Sequence, residues 1–141
     1  MNPTHEIYFM FVTRSNHVSM KYSDLVDALL SYPNVNFRFL NPIEYARHTP
    51  LEDFFVRDEL SKSKYIIEHT SDILRILTLY KFGGLYLDLD VTCLRSMKDI
   101  ATDELIKMPN FVSLETFDHI ENAIMKFDLV SGREVAKLYL E

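Results

Sequence analysis

The chain has 141 residues, 48% hydrophobic and 26% charged, with only 3 Gly and 5 Pro and no repetitive stretch, so residues 1–141 read as one domain with its own apolar core. Its 15 basic residues are scattered and outnumbered by 21 acidic ones, and the net charge of -6 excludes a nucleic-acid footprint and repels a nucleotide diphosphate unless a cation or a local basic group stands between them. No run of about 18 apolar residues marks a membrane segment, Met1 to Glu6 do not open like a signal peptide, and the lone Cys93 excludes an intrachain disulfide.

Ile7-Tyr8-Phe9-Met10-Phe11-Val12 is a continuous apolar run with aromatic and β-branched members, the length of a buried strand and too short for a stable helix. From Tyr22 to Tyr32, Leu25, Ala28 and Leu29 recur at helical spacing behind Ser23-Asp24 as a cap, and Pro33-Asn34 stops the pattern. Val35 to Leu40 alternate with period two, as a half-buried strand does. Thr49-Pro50-Leu51-Glu52 opens a short helix: Thr49 caps free amides, Pro50 has no N–H to lose and Glu52 reaches back. A longer helix is predicted over Tyr65 to Phe82, with Ile66, Ile73, Leu77 and Tyr80 as its apolar stripe. Gly83-Gly84 ends it, because a left-handed C-cap has no steric cost for glycine.

Leu85-Tyr86-Leu87-Asp88-Leu89 follows as a strand, and the order strand, helix, strand, helix, helix, strand predicts an α/β layered domain with a mainly parallel sheet. Beyond Val91 strands are expected near Phe111 to Leu114 and Ala123 to Leu129. A terminal helix from Gly132 runs to Glu141, as expected of a chain cut inside a helix.

Along a strand, Tyr86, Asp88 and Asp90 point to one face while Leu87 and Leu89 point to the other. Two carboxylates on one face repel, and a divalent cation between them relieves that repulsion. Carboxylate oxygens suit the hard ions Mg²⁺ and Mn²⁺, which also bind phosphate, and the end of a strand is where ligands sit in an open sheet. A bare D-x-D is a weak pattern that a solvated turn also satisfies. Asp72 and Arg75, three apart on a helix, read either as a surface pair stabilising the helix by about 0.2–0.5 kcal/mol or as a ligand site. In the second case Arg75 is a forked donor to a diphosphate or sugar hydroxyls and Asp72 an acceptor, and spacing leaves both open. Asp88-Leu89-Asp90-Val91-Thr92 also resembles the D-x-D-x-T opening of haloacid-dehalogenase-like phosphohydrolases, with Asp88 as nucleophile and Asp90 as acid. The residues after Asp90 supply no convincing later lysine and acidic pair for that chemistry.

Ser71-Asp72-Ile73-Leu74-Arg75, followed by Lys81-Phe82-Gly83-Gly84-Leu85-Tyr86-Leu87-Asp88-Leu89-Asp90, resembles the sugar-binding region of the α-1,4-galactosyltransferase and α-1,4-N-acetylglucosaminyltransferase family. Pro33-Asn34-Val35 and His48 to Phe55 are similar to further family segments, nearest to the globotriaosylceramide-synthase-like members. The resemblance implies a nucleotide-sugar-binding Rossmann-like domain of GT-A type. It implies an enzyme of the Golgi membrane, on its lumenal side, that moves a hexose from a UDP-sugar to a galactose-ending glycolipid or glycoprotein. Retention at the anomeric carbon and a Mn²⁺ ion on the diphosphate are implied with it. By position it puts Asp88 at the ribose and metal, Asp90 on the metal, Asp72 and Arg75 at the donor sugar and diphosphate, and Asn122 near the hexose. Tyr86 and the glycine pair are implied as scaffold, no residue is assigned as the catalytic nucleophile, and His119 reads as a surface histidine before it reads as a metal ligand. Family members begin with a strand–helix unit that holds the uracil, whereas Ile7 to Val12 match the next strand, and they continue past the equivalent of Glu141. The expectation is an incomplete catalytic domain; the competing expectation is a family fragment that transfers nothing.

Overall fold

The computed structural model describes residues 5–12, 23–96, 107–116 and 119–140. Strands β1 (Ile7–Val12) and β2 (Val35–Leu40) pair in parallel, Ile7 opposite Val35 through Val12 opposite Leu40. This register stacks Phe9, Phe11, Phe37 and Phe39 along one face, with ring centroids 5.3, 5.4 and 5.6 Å apart. Helix α1 (Ser23–Leu30) lies between them in the chain, ending sooner than expected. Tyr32 already belongs to the turn, its carbonyl accepting from the Val35 N–H at 3.1 Å, and Tyr22 lies outside the described residues.

Helix α2 (Pro42–Tyr45) is a single turn, too short to have a readable period. Asn41 caps it, its Oδ1 accepting from the N–H of Ile43 at 3.1 Å and of Glu44 at 3.4 Å. Helix α3 (Glu52–Val56) starts at the expected signal, with the bonds redistributed. Thr49 Oγ1 accepts from Leu51 N–H at 3.3 Å and donates to the Ala46 carbonyl at 2.6 Å, while Glu52 reaches back to the His48 N–H at 2.8 Å. A 3₁₀ turn (Glu59–Lys62) leads into the long helix α4 (Ile66–Phe82).

Helix α4 has two buried faces instead of one stripe. Leu74 and Leu77 pack with Ala46, Leu51, Phe55 and Leu60, and Ile66, Ile73 and Tyr80 of the predicted stripe border that cluster. Ile76 and Leu79 pack on the other side with Met125, Phe127 and Ala136. The helix ends at Gly83, whose N–H donates to the Leu79 carbonyl at 2.8 Å. Gly83 has φ 63° and ψ -160°, and Gly84 has φ 99°. The Gly83 angles lie outside the left-handed helical well, in backbone space occupied essentially by glycine alone. The chain thereby passes from helix to strand without a loop.

Strand β3 (Gly84–Leu87) pairs antiparallel with β5 (His119–Phe127), which pairs antiparallel with β4 (Phe111–Thr116), giving the order β3-β5-β4. The α/β class is as expected and the β1–β2 pair is parallel, but the sheet that carries the D-x-D strand is not. Its partner is β5, the second strand of a later antiparallel pair with β4, and β5 runs opposite to both of its neighbours. Strand β3 also stops at Leu87, earlier than expected, so strand alternation places Tyr86 but not Asp90. Among the described residues no helix is long and apolar enough to cross a membrane.

Helix α5 (Ser131–Leu140) begins at a side-chain lock. Asp128 Oδ2 accepts from the Ser131 hydroxyl at 2.6 Å, and its Oδ1 accepts from the N–H groups of Val130 at 2.6 Å and Ser131 at 2.8 Å. Asn110 joins in, donating to Ser131 Oγ at 2.7 Å and accepting from Asp128 N–H at 2.9 Å. Gly132 is buried there: an added Cβ would lie 2.3 Å from Asn110 Oδ1 and 2.7 Å from Phe127 Cβ.

Two outcomes follow for stability. Gly132→Ala is expected to destabilise the protein by about 1–3 kcal/mol through overpacking, read as a lower midpoint in urea with unchanged slope. The Ser131 hydroxyl first, and then the Val130 N–H, hold Asp128 down from 3.8 to about 2. A carboxyl depressed in the folded state contributes stability that is complete above its unfolded pKa and is lost as pH falls through the folded value. Thermal melts of Asp128→Asn should therefore fall less steeply than those of the natural protein between pH 3.8 and about 2; parallel curves would refute this.

Candidate functional site

Arg75 sits on the third turn of α4, with 9% of its side chain exposed. A buried guanidinium is stable only if its donors find acceptors, and here they find them on three elements. Nη1 donates to Asn122 Oδ1 at 2.6 Å, to the Asn122 carbonyl at 3.2 Å and to Asp88 Oδ2 at 3.2 Å. Nη2 donates to Ser71 Oγ at 3.2 Å and pairs with Asp72 Oδ1 at 3.2 Å. Its Cζ lies 5.1 Å from the centre of the Tyr86 ring, and Nε is buried without a partner.

The surrounding groups also bind one another. Asn122 Nδ2 donates to Asp72 Oδ1 at 3.0 Å, which orients the amide so that its oxygen meets Arg75. The Tyr86 hydroxyl donates to Asp88 Oδ1 at 2.5 Å. Burial, and then the bond to Asp88, push this phenol far above its ordinary pKa. The Asp88 N–H donates to the Ala123 carbonyl at 2.8 Å, which extends the β3–β5 ladder by one residue and sets Asp88 beside Asn122. Val91 N–H then donates to the Asp88 carbonyl at 3.1 Å, closing a turn over Asp88-Leu89-Asp90-Val91.

The structure thus brings Asp72, Arg75, Asp88 and Asn122 into one cluster. Asp90 is exposed in the turn, two residues beyond the end of the ladder, and not on the strand face as alternation suggested. His119 starts β5, with Nδ1 3.4 Å from Thr116 Oγ1. Ser71 and Tyr86 were not singled out as site residues, yet both touch the cluster. For Tyr86 the signal was present, since it and Asp88 are two apart on a strand face. Asp72, 47% exposed, also lines an open cavity of about 230 Å³ with Phe54, Glu59, Ser63 and His69.

Among the described residues no three His, Cys, Asp or Glu side chains come together as a metal cage. Two neighbouring carboxylates, one half-buried and one exposed, nevertheless fit a hard cation of the Mg²⁺ or Mn²⁺ kind. Such ions are commonly bound by one or two carboxylates plus water and substrate phosphates. Asp88 and Asp90 would hold the protein's side of a shared site of that type.

The geometry agrees with what comparison with known proteins finds. Human lactosylceramide 4-alpha-galactosyltransferase is 33% identical over 75 residues, covering 53% of this chain and 21% of that protein. The mouse protein of that name is 28% identical over 103 residues, 73% of this chain and 26% of that one. Inositol phosphoceramide mannosyltransferase 3 of Schizosaccharomyces pombe is 41% identical over 63 residues, 45% of this chain and 16% of that one. The chain therefore spans between 16% and 26% of the length of these three curated relatives. No solved structure matches it. A family model for the glycosyltransferase sugar-binding region containing the DXD motif matches residues 3–112, most of the chain and nearly all of the Arg75 cluster. On that match the chain belongs to the family of DXD-containing glycosyltransferase sugar-binding regions.

Proposed function

We propose that this chain forms the donor-binding part of a glycosyltransferase that moves a hexose from a UDP-sugar to a glycolipid, with retention at the anomeric carbon. The observation that carries the reading is the convergence of Asp72, Arg75, Asp88 and Asn122, drawn from a helix, a strand end and a distant hairpin strand. The pattern S-D-x-x-R and the later K-F-G-G-x-Y-L-D-x-D are thus parts of one surface. A galactosyltransferase and a mannosyltransferase among the relatives carry ceramide-bearing acceptors in their names, which favours a glycolipid over a glycoprotein acceptor. Their names differ in the sugar moved, so the identity of the hexose is not part of the proposal. A lumenal place at the Golgi membrane follows from the same family reading.

The roles follow from charge and exposure. The chain is acidic, so a diphosphate needs a positive partner. A Mn²⁺ ion held by Asp88 and Asp90 would neutralise charge on the diphosphate as it becomes the leaving group. Asp72 accepts from sugar hydroxyls, with the adjoining cavity as room for the ring. Asn122, locked between Asp72 and Arg75, defines the hexose side of the site. Arg75 supports both, and no side chain is assigned as nucleophile. The phosphohydrolase reading is not favoured: the family model that matches residues 3–112 is that of a glycosyltransferase sugar-binding region, and it takes in the upstream S-D-x-x-R and K-F-G-G segments that the phosphohydrolase pattern leaves unexplained.

Calorimetry of UDP with and without Mn²⁺, on the natural chain and Asp90→Asn, tests the donor site. UDP binding should require Mn²⁺ and weaken at least about tenfold in Asp90→Asn. Binding that ignores the metal, or a fully active Asp90→Asn site, would remove the assignment. Asn122→Ala should weaken UDP-hexose about tenfold while changing UDP little; equal losses for both ligands would take Asn122 away from the hexose.

A further inference from the structure

Asp88 has a conflict of partners. Oδ1 accepts from the Tyr86 hydroxyl at 2.5 Å and Oδ2 from Arg75 Nη1 at 3.2 Å. Arg75 carries a charge that proteins do not remove, and only 9% of its side chain reaches solvent. A divalent ion approaching Asp88 would meet that fixed positive charge within ion-pair distance of the same carboxylate, with little water to screen it. Asp72, the other anion near this charge, is already paired with it at 3.2 Å. That leaves exposed Asp90 as the uncommitted carboxylate of the pair, and one exposed carboxylate is a poor site for an ion that sheds water reluctantly. A diphosphate changes the balance: its negative charges sit favourably between guanidinium and metal, and its oxygens can accept from Arg75 donors now bound to Asp88.

We propose that Arg75 is a resident counter-cation for Asp88 that makes metal binding conditional on a nucleotide diphosphate. The site would refuse a divalent ion alone and accept it together with the diphosphate. This rests on the reading that Asp88 and Asp90 face the cation, and adds to it a positioning residue that controls when the cation enters.

The test is titration of Mn²⁺ followed by the electron paramagnetic resonance signal of the free ion, with and without saturating UDP, each referred to a protein-free titration at the same UDP concentration so that Mn²⁺ held by UDP in solution is subtracted. The samples are the natural chain, Arg75→Gln and Arg75→Lys. The natural chain should bind Mn²⁺ alone weakly, and at least about tenfold more tightly with UDP. Arg75→Gln should bind Mn²⁺ alone at least about tenfold more tightly than the natural chain, and gain correspondingly less from UDP than the natural chain does. Arg75→Lys, which keeps the charge, should stay as weak as the natural chain towards Mn²⁺ alone. A merely structural role for Arg75 would lower the melting temperature of Arg75→Gln without raising its metal affinity.

A folded Arg75→Gln chain that binds Mn²⁺ alone no better than the natural chain overturns the proposal. Should that variant fail to fold, Mn²⁺ binding by the natural chain and Arg75→Lys that is equally tight with and without UDP overturns it instead. Absence of any Mn²⁺·UDP complex in the natural chain overturns the donor-site reading as well. A normal Mn²⁺·UDP complex with unaltered metal affinity in Arg75→Gln overturns this inference alone.

Discussion

The guanidinium of Arg75 holds together groups that lie up to 47 residues away in the chain, and the arrangement around it depends on that charge being satisfied where it is buried. Without Arg75, Asp72 and Asp88 would be two anions facing one another across an asparagine. With it, they share one permanent cation, and the hairpin strand carrying Asn122 is drawn against the middle of α4. The unpartnered Nε marks the limit of this solution: even with acceptors on three elements, one buried donor is left over.

Helix α4 makes the cluster possible because it is a spine with two apolar faces. Leu74 and Leu77 anchor it to the layer of short helices, while Ile76 and Leu79 anchor it to the sheet and α5. Arg75, between Leu74 of one face and Ile76 of the other, is left to meet Asp88, Asn122 and the Tyr86 ring. The glycine pair then sets the distance. With Gly83 and Gly84 at positive φ, β3 starts directly after the helix, so Asp88 returns to within 3.2 Å of a side chain 13 residues earlier. A residue with a Cβ at Gly83 would meet the Phe127 carbonyl at 2.9 Å as well as an unfavourable backbone conformation.

The electrostatics link fold to chemistry. On the proposed reading, an acidic chain that handles a diphosphate has to supply positive charge locally, and that demand would fall on a cation at the D-x-D turn. Arg75 supplies a single charge already divided between Asp72 and Asp88. Asp88 is therefore committed to the fold through Arg75 and Tyr86, and Asp90 in the solvent-facing turn is the more available of the pair. Tyr86, a phenol whose pKa burial raises, settles the geometry of Asp88 without adding charge.

By itself the sequence determined the elements whose signals are local. The apolar run of β1, the period-two pattern of β2, the long helix with its glycine stop, and the motif residues of the site were legible because periodicity, capping and glycine conformations depend on near neighbours. Local pattern also named Asp72, Arg75 and Asp88 as candidates, and the family resemblance added Asn122. It did not give the one-turn helix α2, which has no period to read, or the second buried face of α4, which exists only because β5 and α5 pack there. The antiparallel partner of β3 was hidden for the same reason: pairing joins residues some 40 apart, such as Gly84 and Phe127, and no short window contains both. Whether Asp72 and Arg75 were an isolated surface pair or part of a wider side-chain network could be decided only by the tertiary structure. The spacing of three is identical in either case, and burial by a distant hairpin is what turns the pair into the centre of a network.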